Sequence, residues 1–208
     1  MRKVDVLMAG VGGQGIILAS DVLSEVAMLS GYDVKKSDAL GMAQRGGAVV
    51  SHVRIGEKVF SPMIKHGDAD IVLAFEKLEA ARWSGYLSQR STVILNNQAI
   101  LPLSVSSGVE SYPSDKQIVD ILRSRTAHVF VVPGQTLAEE LGNVRTLNML
   151  MLGFLSVFLP MERRMWMECV SQYVPPNLLD LNRRAFSLGR ERAREMGAES
   201  VASSMASS

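Results

Sequence analysis

Residues 4–20 read VDVLMAGVGGQGIILAS, and this stretch decides the fold of the chain. The short apolar run Val4–Ala9 predicts a buried first strand. A glycine cluster at residues 10–15 follows, and apolar side chains then recur at helical spacing from Ile16 to Ala27. The order of strand, glycine turn and helix favours an α/β domain.

The same alternation of strands and helices continues along the chain. Further strands are predicted at residues 33–37, 70–75, 92–95 and 128–132, and helices at 77–87, 117–123, 136–141, 144–158 and on both sides of Pro175-Pro176. Gly56-Glu57 suits a two-residue turn between strands 49–55 and 58–63, which predicts a β-hairpin. The sequence therefore predicts a three-layer, Rossmann-like α/β domain with a mainly parallel, mixed sheet, a β-hairpin and a helical C-terminal part.

The predicted elements fit one domain. No linker or composition change divides residues 1–196, and the Ser- and Ala-rich tail 197–208 is expected to be disordered. The segment 144–158 is apolar nearly all round, so we expect it to be buried on several sides.

Composition bears on the class of function. The 208 residues carry a net charge of +1, which gives no support for nucleic-acid binding. Cys169 is the only cysteine, so the chain cannot form a disulfide, a Cys-ligated zinc site or an iron–sulfur cluster by itself. Its start has no secretory signal and its longest apolar stretch is too short to span a bilayer, so a cytoplasmic location without a membrane partner is expected.

The first glycine cluster has three possible roles. Gly10, Gly12 and Gly15 match G-x-G-x-x-G, and Asp38 follows Gly15 by 23 residues, near the place of a ribose-binding acid. A nicotinamide or flavin dinucleotide, another anion at the helix N-terminus, and a tight turn with no ligand therefore all remain open. Gln14 can donate to a ligand or tie down a neighbouring loop.

A second glycine cluster, GMAQRGG at residues 41–47, contains Arg45. Arg45 lies beside Gly46 and Gly47, so its guanidinium can approach a phosphate or a carboxylate, although a surface arginine is the simpler alternative. If the first two strands are parallel neighbours, both glycine loops lie at the same edge of the sheet. We then expect one anion-binding pocket containing Gly12, Gly13, Gln14, Arg45 and Gly46.

A near-match to a metal-binding motif is not expected to work. Gly67-Asp68-Ala69 and Asn96-Asn97 resemble the pattern that holds magnesium and thiamine diphosphate. Asp68 precedes a predicted strand instead of following one, so Asp68 and Asn97 are expected toward opposite edges of the sheet. We predict no metal ligand and no catalytic residue in this chain.

Taken in order, these segments resemble the gamma module of the 2-oxoacid:ferredoxin oxidoreductases over about residues 3–190. The resemblance lies in residues 10–15, 41–47 and 50–56 and in Ser61-Pro62. The stretch 42–47 together with Ser51-His-Val-Arg54 is most similar to the indolepyruvate type of that family.

The resemblance implies a function in a larger enzyme. Enzymes of this family oxidatively decarboxylate a 2-oxoacid, here an aryl one such as indolepyruvate, transfer the acyl group to coenzyme A and reduce ferredoxin. Thiamine diphosphate, magnesium and iron–sulfur clusters are then expected on a larger alpha subunit and not on this chain, which would reach ferredoxin only through the complex.

The candidate cofactor- or co-substrate-binding residues are Gly10, Gly12, Gly13, Gln14, Gly15, Arg45, Gly46 and Gly47. Two other functions remain possible: a free-standing NAD- or flavin-binding oxidoreductase, and a non-catalytic interaction subunit.

Overall fold

The computed structural model describes residues 3–41 and 47–207. In these residues it contains six strands, β1 (Val4–Val11), β2 (Asp33–Leu40), β3 (Ala48–Gly56), β4 (Ile71–Ala74), β5 (Thr92–Asn96) and β6 (His128–Val132). The same ranges contain nine α-helices, α1 (Ile16–Leu29), α2 (Lys77–Arg82), α3 (Leu103–Ser106), α4 (Asp115–Arg123), α5 (Gly134–Glu140), α6 (Leu147–Leu155), α7 (Arg163–Tyr173), α8 (Leu179–Glu195) and α9 (Ala198–Ser207).

The strands form one sheet in the order β2-β3-β1-β4-β5-β6. β1, β4, β5 and β6 are parallel, whereas β3 runs antiparallel to both β1 and β2. The prediction of a mainly parallel, mixed sheet is confirmed. Gly15 and the first turn of α1 consequently lie at the carboxyl edge of the parallel strands.

The predicted hairpin of strands 49–55 and 58–63 is wrong. β3 pairs with β2 instead, in a register that places Leu40 opposite Val49, and residues 58–63 form no strand. Arg54 explains the loop: its Nη1 donates to the carbonyl oxygens of Ser61 and Met63, at 3.1 and 3.0 Å. The fold therefore does contain a β-hairpin, but it consists of β2 and β3.

Helices cover both faces of the sheet. On one face Val6 and Met8 belong to a core that includes side chains of α1, α6, α7 and α8. On the other face Leu7 packs in a smaller core with side chains of α2 and α4. The three-layer architecture is thus confirmed. No helix in the described parts of the chain is long and apolar enough to cross a membrane.

Two glycines allow the backbones of α6 and α8 to touch. Every residue of α6 is buried, as the apolar segment 144–158 predicts. A Cβ on Gly153 would lie 2.1 Å from the carbonyl oxygen of Phe186, and one on Gly189 would lie 1.9 Å from that of Leu150. A side chain at either position would therefore separate the two helices.

The tail also differs from its prediction. The sequence predicts disorder from residue 197, whereas the structure contains α9. Ala198 is fully buried, and Val201, Ala202 and Met205 pack against the core. These four residues have the spacing of one helical face. Their burial can therefore stabilise α9, although the small polar residues of this segment favour a helix only weakly.

We predict that Gly153→Ala and Gly189→Ala each destabilise the protein by roughly 3 kcal/mol or more, because the added methyl group would overlap a backbone oxygen. In an unobstructed helix the same change stabilises by about 1 kcal/mol, so the sign is informative. Urea denaturation followed by circular dichroism measures the effect.

Gly56→Ala is the control, since a Cβ at Gly56 would be 3.5 Å from its nearest neighbours. A free energy of unfolding that is unchanged in both helix variants would contradict the close crossing of α6 and α8.

Candidate functional site

The candidate site lies at the carboxyl edge of the sheet, where β1 turns into α1. Gly13 and Gly15 have φ angles of 103° and 77°, in a region that other residues rarely adopt. Gly15 is the N-cap of α1, and no side chain caps this end of the helix. The N–H groups of the first helical turn are therefore available to a ligand.

The side-chain amide of Gln14 fastens this turn to the neighbouring strands. Its Oε1 accepts from the N–H of Val11 at 2.8 Å. Its Nε2 donates to the carbonyl oxygen of Phe75, after β4, and to Oε1 of Gln98, after β5, both at 2.9 Å. Of the two roles that the sequence allows for Gln14, the structure shows that of a tie between loops.

Gly10 makes room for this amide. It is buried in β1, and a Cβ there would lie 2.8 Å from Oε1 of Gln14. Gly10 therefore supports the site without lining it.

Much of the hydrogen-bonding capacity of the glycine turn is used internally. The N–H of Val11 is bound by Gln14, that of Gly12 donates to the carbonyl oxygen of Gly47 at 2.9 Å, and that of Gln14 donates to Val11 at 3.1 Å. A loop that cradles a pyrophosphate directs such N–H groups at the ligand. In this turn the N–H groups of Val11, Gly12 and Gln14 are bound within the protein, whereas the start of α1 has no side-chain cap.

Asp38 does not take the position of a ribose-binding acid. It lies on β2, and β3 separates β2 from β1, which places it roughly 10 Å across the sheet. Its carboxylate accepts from the hydroxyl of Ser51 at 2.6 Å and pairs with Lys36 at 2.9 Å. The geometry therefore argues against a dinucleotide site of the usual Rossmann type.

A pocket of about 420 Å³ opens beside the start of α1. Most of its lining residues are polar or glycine, and they come from four segments of the chain: Gly13, Gln14, Gly15, Leu18, Gln98, Gln135, Val144, Arg145, Leu147 and Asn148. Three of these residues, Gly13, Gln14 and Gly15, are among the predicted candidates.

Two pocket residues carry hydrogen-bond donors that sequence reasoning missed. Asn148 is buried, with 6% of its surface exposed. Its Oδ1 accepts from the N–H of Met149, and the described residues supply no acceptor for its Nδ2. Arg145 is exposed, and no carboxylate in the described parts of the chain pairs with it. With the N-terminus of α1, these donors suit an anion.

Local sequence held a partial signal for these two residues. Asn143 accepts from the N–H of Arg145 at 2.9 Å, so it caps the helical turn that leads into α6. An asparagine before a long apolar helix does mark a helix start. Only the topology, however, brings that start next to Gly15.

The two glycine clusters meet through the hydrogen bond from the N–H of Gly12 to the carbonyl oxygen of Gly47, although neither of these two residues lines the pocket. The reason differs from the predicted one, because β1 and β2 are not neighbours. β3 returns the chain to β1 instead and places Ala48 opposite Val11. Arg45 and Gly46 lie outside the described residues, so their place in the pocket stays a prediction.

The thiamine-type motif is not assembled. β4 and β5 are parallel, with Asp68 before the start of β4 and Asn97 after the end of β5. The two side chains therefore belong to opposite edges of the sheet. In residues 3–41 and 47–207, no three His, Cys, Asp or Glu side chains are grouped as metal ligands.

The buried titratable groups nearby have structural partners. Glu76 accepts from the hydroxyl of Tyr112 at 2.5 Å and from the N–H of Ile100 at 3.0 Å. Burial, and then this bond to Glu76, raise the pKa of Tyr112. Burial, followed by the charge of Arg54, lowers the pKa of His52, whose Nδ1 accepts from the N–H of Ile64 at 3.3 Å.

Cys169 is a core thiol. It is fully buried, and its burial raises the pKa of the thiol to about 11. A thiol with so high a pKa is protonated at neutral pH, so Cys169 is not an activated nucleophile.

Comparison with known proteins gives a consistent family. The model of pyruvate ferredoxin/flavodoxin oxidoreductase matches residues 5–192. Indolepyruvate oxidoreductase subunit IorB of Thermococcus kodakarensis is 37% identical over 199 residues, which are 94% of this chain and 98% of the relative.

Solved structures share the fold at lower identity. The gamma subunit of a keto/oxoacid ferredoxin oxidoreductase from Geobacter sulfurreducens has a TM-score of 0.68 at 22% identity, over 92% of this chain and 99% of that one. The 2-oxoglutarate:ferredoxin oxidoreductase of Magnetococcus marinus, solved with 2-oxoglutarate, coenzyme A and succinyl-CoA bound, has a TM-score of 0.73 at 20% identity. That match covers 94% of this chain and 32% of the longer one.

We predict that Gln14→Glu destabilises the protein by about 2–3 kcal/mol. The substitution keeps the shape of the side chain but replaces the NH2 group with a carboxylate oxygen. That oxygen would face the carbonyl oxygen of Phe75 and Oε1 of Gln98, to which the NH2 group now donates. Thermal or urea denaturation provides the measurement.

Gln135→Ala serves as the control. It changes a side chain that lines the same pocket but donates only to Glu139, at 2.8 Å. If the glutamate variant is as stable as this control, Gln14 does not hold the edge of the sheet together.

Proposed function

The chain belongs to the pyruvate ferredoxin/flavodoxin oxidoreductase family, and we propose that it is the small, gamma-type subunit of an enzyme specific for an aryl 2-oxoacid such as indolepyruvate. The observation that carries this proposal is the 37% identity to an indolepyruvate oxidoreductase subunit over 98% of its length. Residues 1–196 are then the gamma-type domain of the enzyme, which we place in the cytoplasm.

The proposed reaction breaks the bond between the carboxylate and the carbonyl carbon of the 2-oxoacid. Carbon dioxide leaves, the acyl group forms a thioester with coenzyme A, and the two electrons released reduce ferredoxin. When bound, thiamine diphosphate stabilises the carbanion of such a reaction and iron–sulfur clusters carry the electrons.

Residues of this chain do not fit those cofactors. Asp68 and Asn97 lie at opposite edges of the sheet, and Cys169 is a single buried thiol. We therefore assign thiamine diphosphate, its magnesium ion and the clusters to a larger alpha subunit, through which electrons reach ferredoxin. The chain itself contributes to the surroundings of the active site.

We assign the carboxyl-edge pocket to an anionic part of coenzyme A. Arg145, Asn148 and the first turn of α1 supply donors, and the pocket is open to a partner or a ligand. Arg45 and Gly46 directly precede Gly47, which is bound to Gly12, and we propose that they complete the pocket. The Magnetococcus marinus relative, solved with coenzyme A bound, supports a co-substrate of this kind.

The isolated chain is expected to be colourless and to reduce no viologen dye with indolepyruvate and coenzyme A. Reduction should appear when the alpha subunit is added, because the redox groups belong to that subunit. Chromatographic quantification of the acyl-coenzyme A in quenched reactions gives a second measurement.

The alpha subunit alone is the control and should be less active than the complex. Dye reduction by the isolated chain would contradict the proposed division of labour, as would full activity of the alpha subunit without it.

In the reconstituted complex, the Michaelis constant for coenzyme A should rise from wild type to Arg45→Lys to Arg45→Ala. Lysine keeps the charge but loses the planar, two-pronged donor geometry of arginine, and alanine loses both. Arg145→Lys and Arg145→Ala should follow the same order, by roughly tenfold for the alanine variant if one charged hydrogen bond is lost.

Arg123→Ala is the matched control, since Arg123 is an exposed arginine on α4. Unchanged kinetics in the Arg45 and Arg145 variants would remove coenzyme A from this pocket. A failure of the variants to assemble would assign the two arginines to the subunit interface instead.

A further inference from the structure

A second, larger cavity of about 780 Å³ lies at the opposite, amino edge of the sheet. Its floor includes Val4 at the start of β1 and His128 at the start of β6. The 3-10 turn Ser156–Phe158 and helices α8 and α9 form its walls. Its volume falls in the range of small-molecule sites, which is roughly 300–1,000 Å³.

Arg190 carries an unbalanced positive charge into this cavity. Its guanidinium is half-buried, and Nη1 donates to Oγ of Ser156 at 2.6 Å. No carboxylate of residues 3–41 or 47–207 lies within ion-pairing distance of it. Burial, and then the nearby charges of Arg194 and Arg163, lower the pKa of Arg190, while the charge of Glu199 acts weakly in the opposite direction. An arginine nevertheless stays protonated at neutral pH.

The carboxylates that line the cavity are already engaged. Glu199 pairs with Arg194 at 2.8 Å, and Asp70 accepts from the N–H of Asp5 at 2.8 Å. A half-buried cation without a counter-ion is unfavourable, so an anion that enters the cavity gains from it. Ser156 is itself fixed, because its hydroxyl donates to the carbonyl oxygen of Gly153 at 2.7 Å. The guanidinium is therefore held in place by one of its nitrogens while the others remain for a ligand.

The rest of the lining is largely apolar. Phe158, Leu159 and Met161 face the cavity from the segment after α6, and Val201 and Met205 face it from α9. A ligand that combines an anionic group with an apolar body matches Arg190 and these apolar side chains. Lys3 and Arg90 also belong to the lining, and Lys3 pairs with Asp5 at 2.7 Å. The carboxylates of Asp70 and Glu199 in the same lining disfavour a multiply charged anion such as a nucleotide.

We propose that this cavity is a binding site for a small amphipathic monocarboxylate. The carboxylate pairs with Arg190, whose planar donor geometry matches two carboxylate oxygens. The apolar body lies between the 156–161 segment and α9, so that bound ligand also holds α9 in place. This site is separated by the length of the strands from the carboxyl-edge pocket and does not depend on the proposed function.

Isothermal titration calorimetry of the full chain with octanoate and with 3-phenylpropionate tests the proposal. These two probes share the carboxylate and distinguish an aliphatic from an aryl body. At least one should bind saturably, while octan-1-ol, which lacks the charge, should bind at least roughly tenfold more weakly because a charge-assisted pair is lost. Inorganic phosphate should not compete with the bound probe.

Variants locate the site. Arg190→Gln should weaken binding of the carboxylate by roughly tenfold or more, and Arg190→Lys by less. Arg183→Gln, an exposed arginine on the same helix, should leave affinity unchanged. Hydrogen exchange should show slower exchange in residues 198–205 when the ligand is bound, a readout that a merely structural effect of the substitutions would not produce.

Several results would overturn the proposal. They are the absence of binding by either carboxylate, equal affinity for octan-1-ol, and equal losses in the Arg190 and Arg183 variants. If Arg190→Gln does not fold, the comparison of octanoate with octan-1-ol on the wild-type chain decides the matter alone.

Discussion

The side-chain amide of Gln14 is the interaction on which the carboxyl edge of the sheet depends. It closes the turn after β1 through Val11, binds the carbonyl oxygen of Phe75 after β4, and meets Gln98 after β5. Asn96 extends the same network: its Nδ2 also donates to Phe75, and its Oδ1 accepts from the first turn of α5. Because these strand ends are joined by polar groups, the loops between them have a fixed shape, and that shape defines the pocket.

This use of the amide also restricts what the glycine turn can bind. The turn has the spacing of a dinucleotide-binding loop, yet the N–H groups of Val11 and Gly12 are bound by Gln14 and Gly47. What remains is a helix start flanked by Asn148 and Arg145, which suits one anionic group better than a whole dinucleotide. Such an incomplete site is consistent with a subunit that acts beside a partner. The fold is thus Rossmann-like in outline, whereas the site lacks the features of a usual dinucleotide site.

Sequence alone predicted the elements whose signals are local. The strand–glycine–helix start, the helix predicted at residues 117–123, and β6 at His128–Val132 all appear in the structure. It failed where a side-chain contact decides the outcome: Arg54 donates to the carbonyl oxygens of Ser61 and Met63, so residues 58–63 form a loop and not the expected second strand of the hairpin. In the tail, four small or apolar residues do have helical spacing. The prediction of disorder gave more weight to the many serines and alanines of this segment.

The candidate site shows the same limit. Glycines mark the turn after β1 because the backbone there needs positive φ angles. A requirement of this kind is visible in the identity of single residues. Arg145 and Asn148 carry no such mark, since they reach the pocket only through the packing of α6 beside α1. Hydrogen exchange of this chain within the complex, with and without coenzyme A, tests the central claim most directly. The account predicts slower exchange at residues 13–18 and 144–148 when coenzyme A is present, whereas slowing confined to the amino edge of the sheet would contradict it.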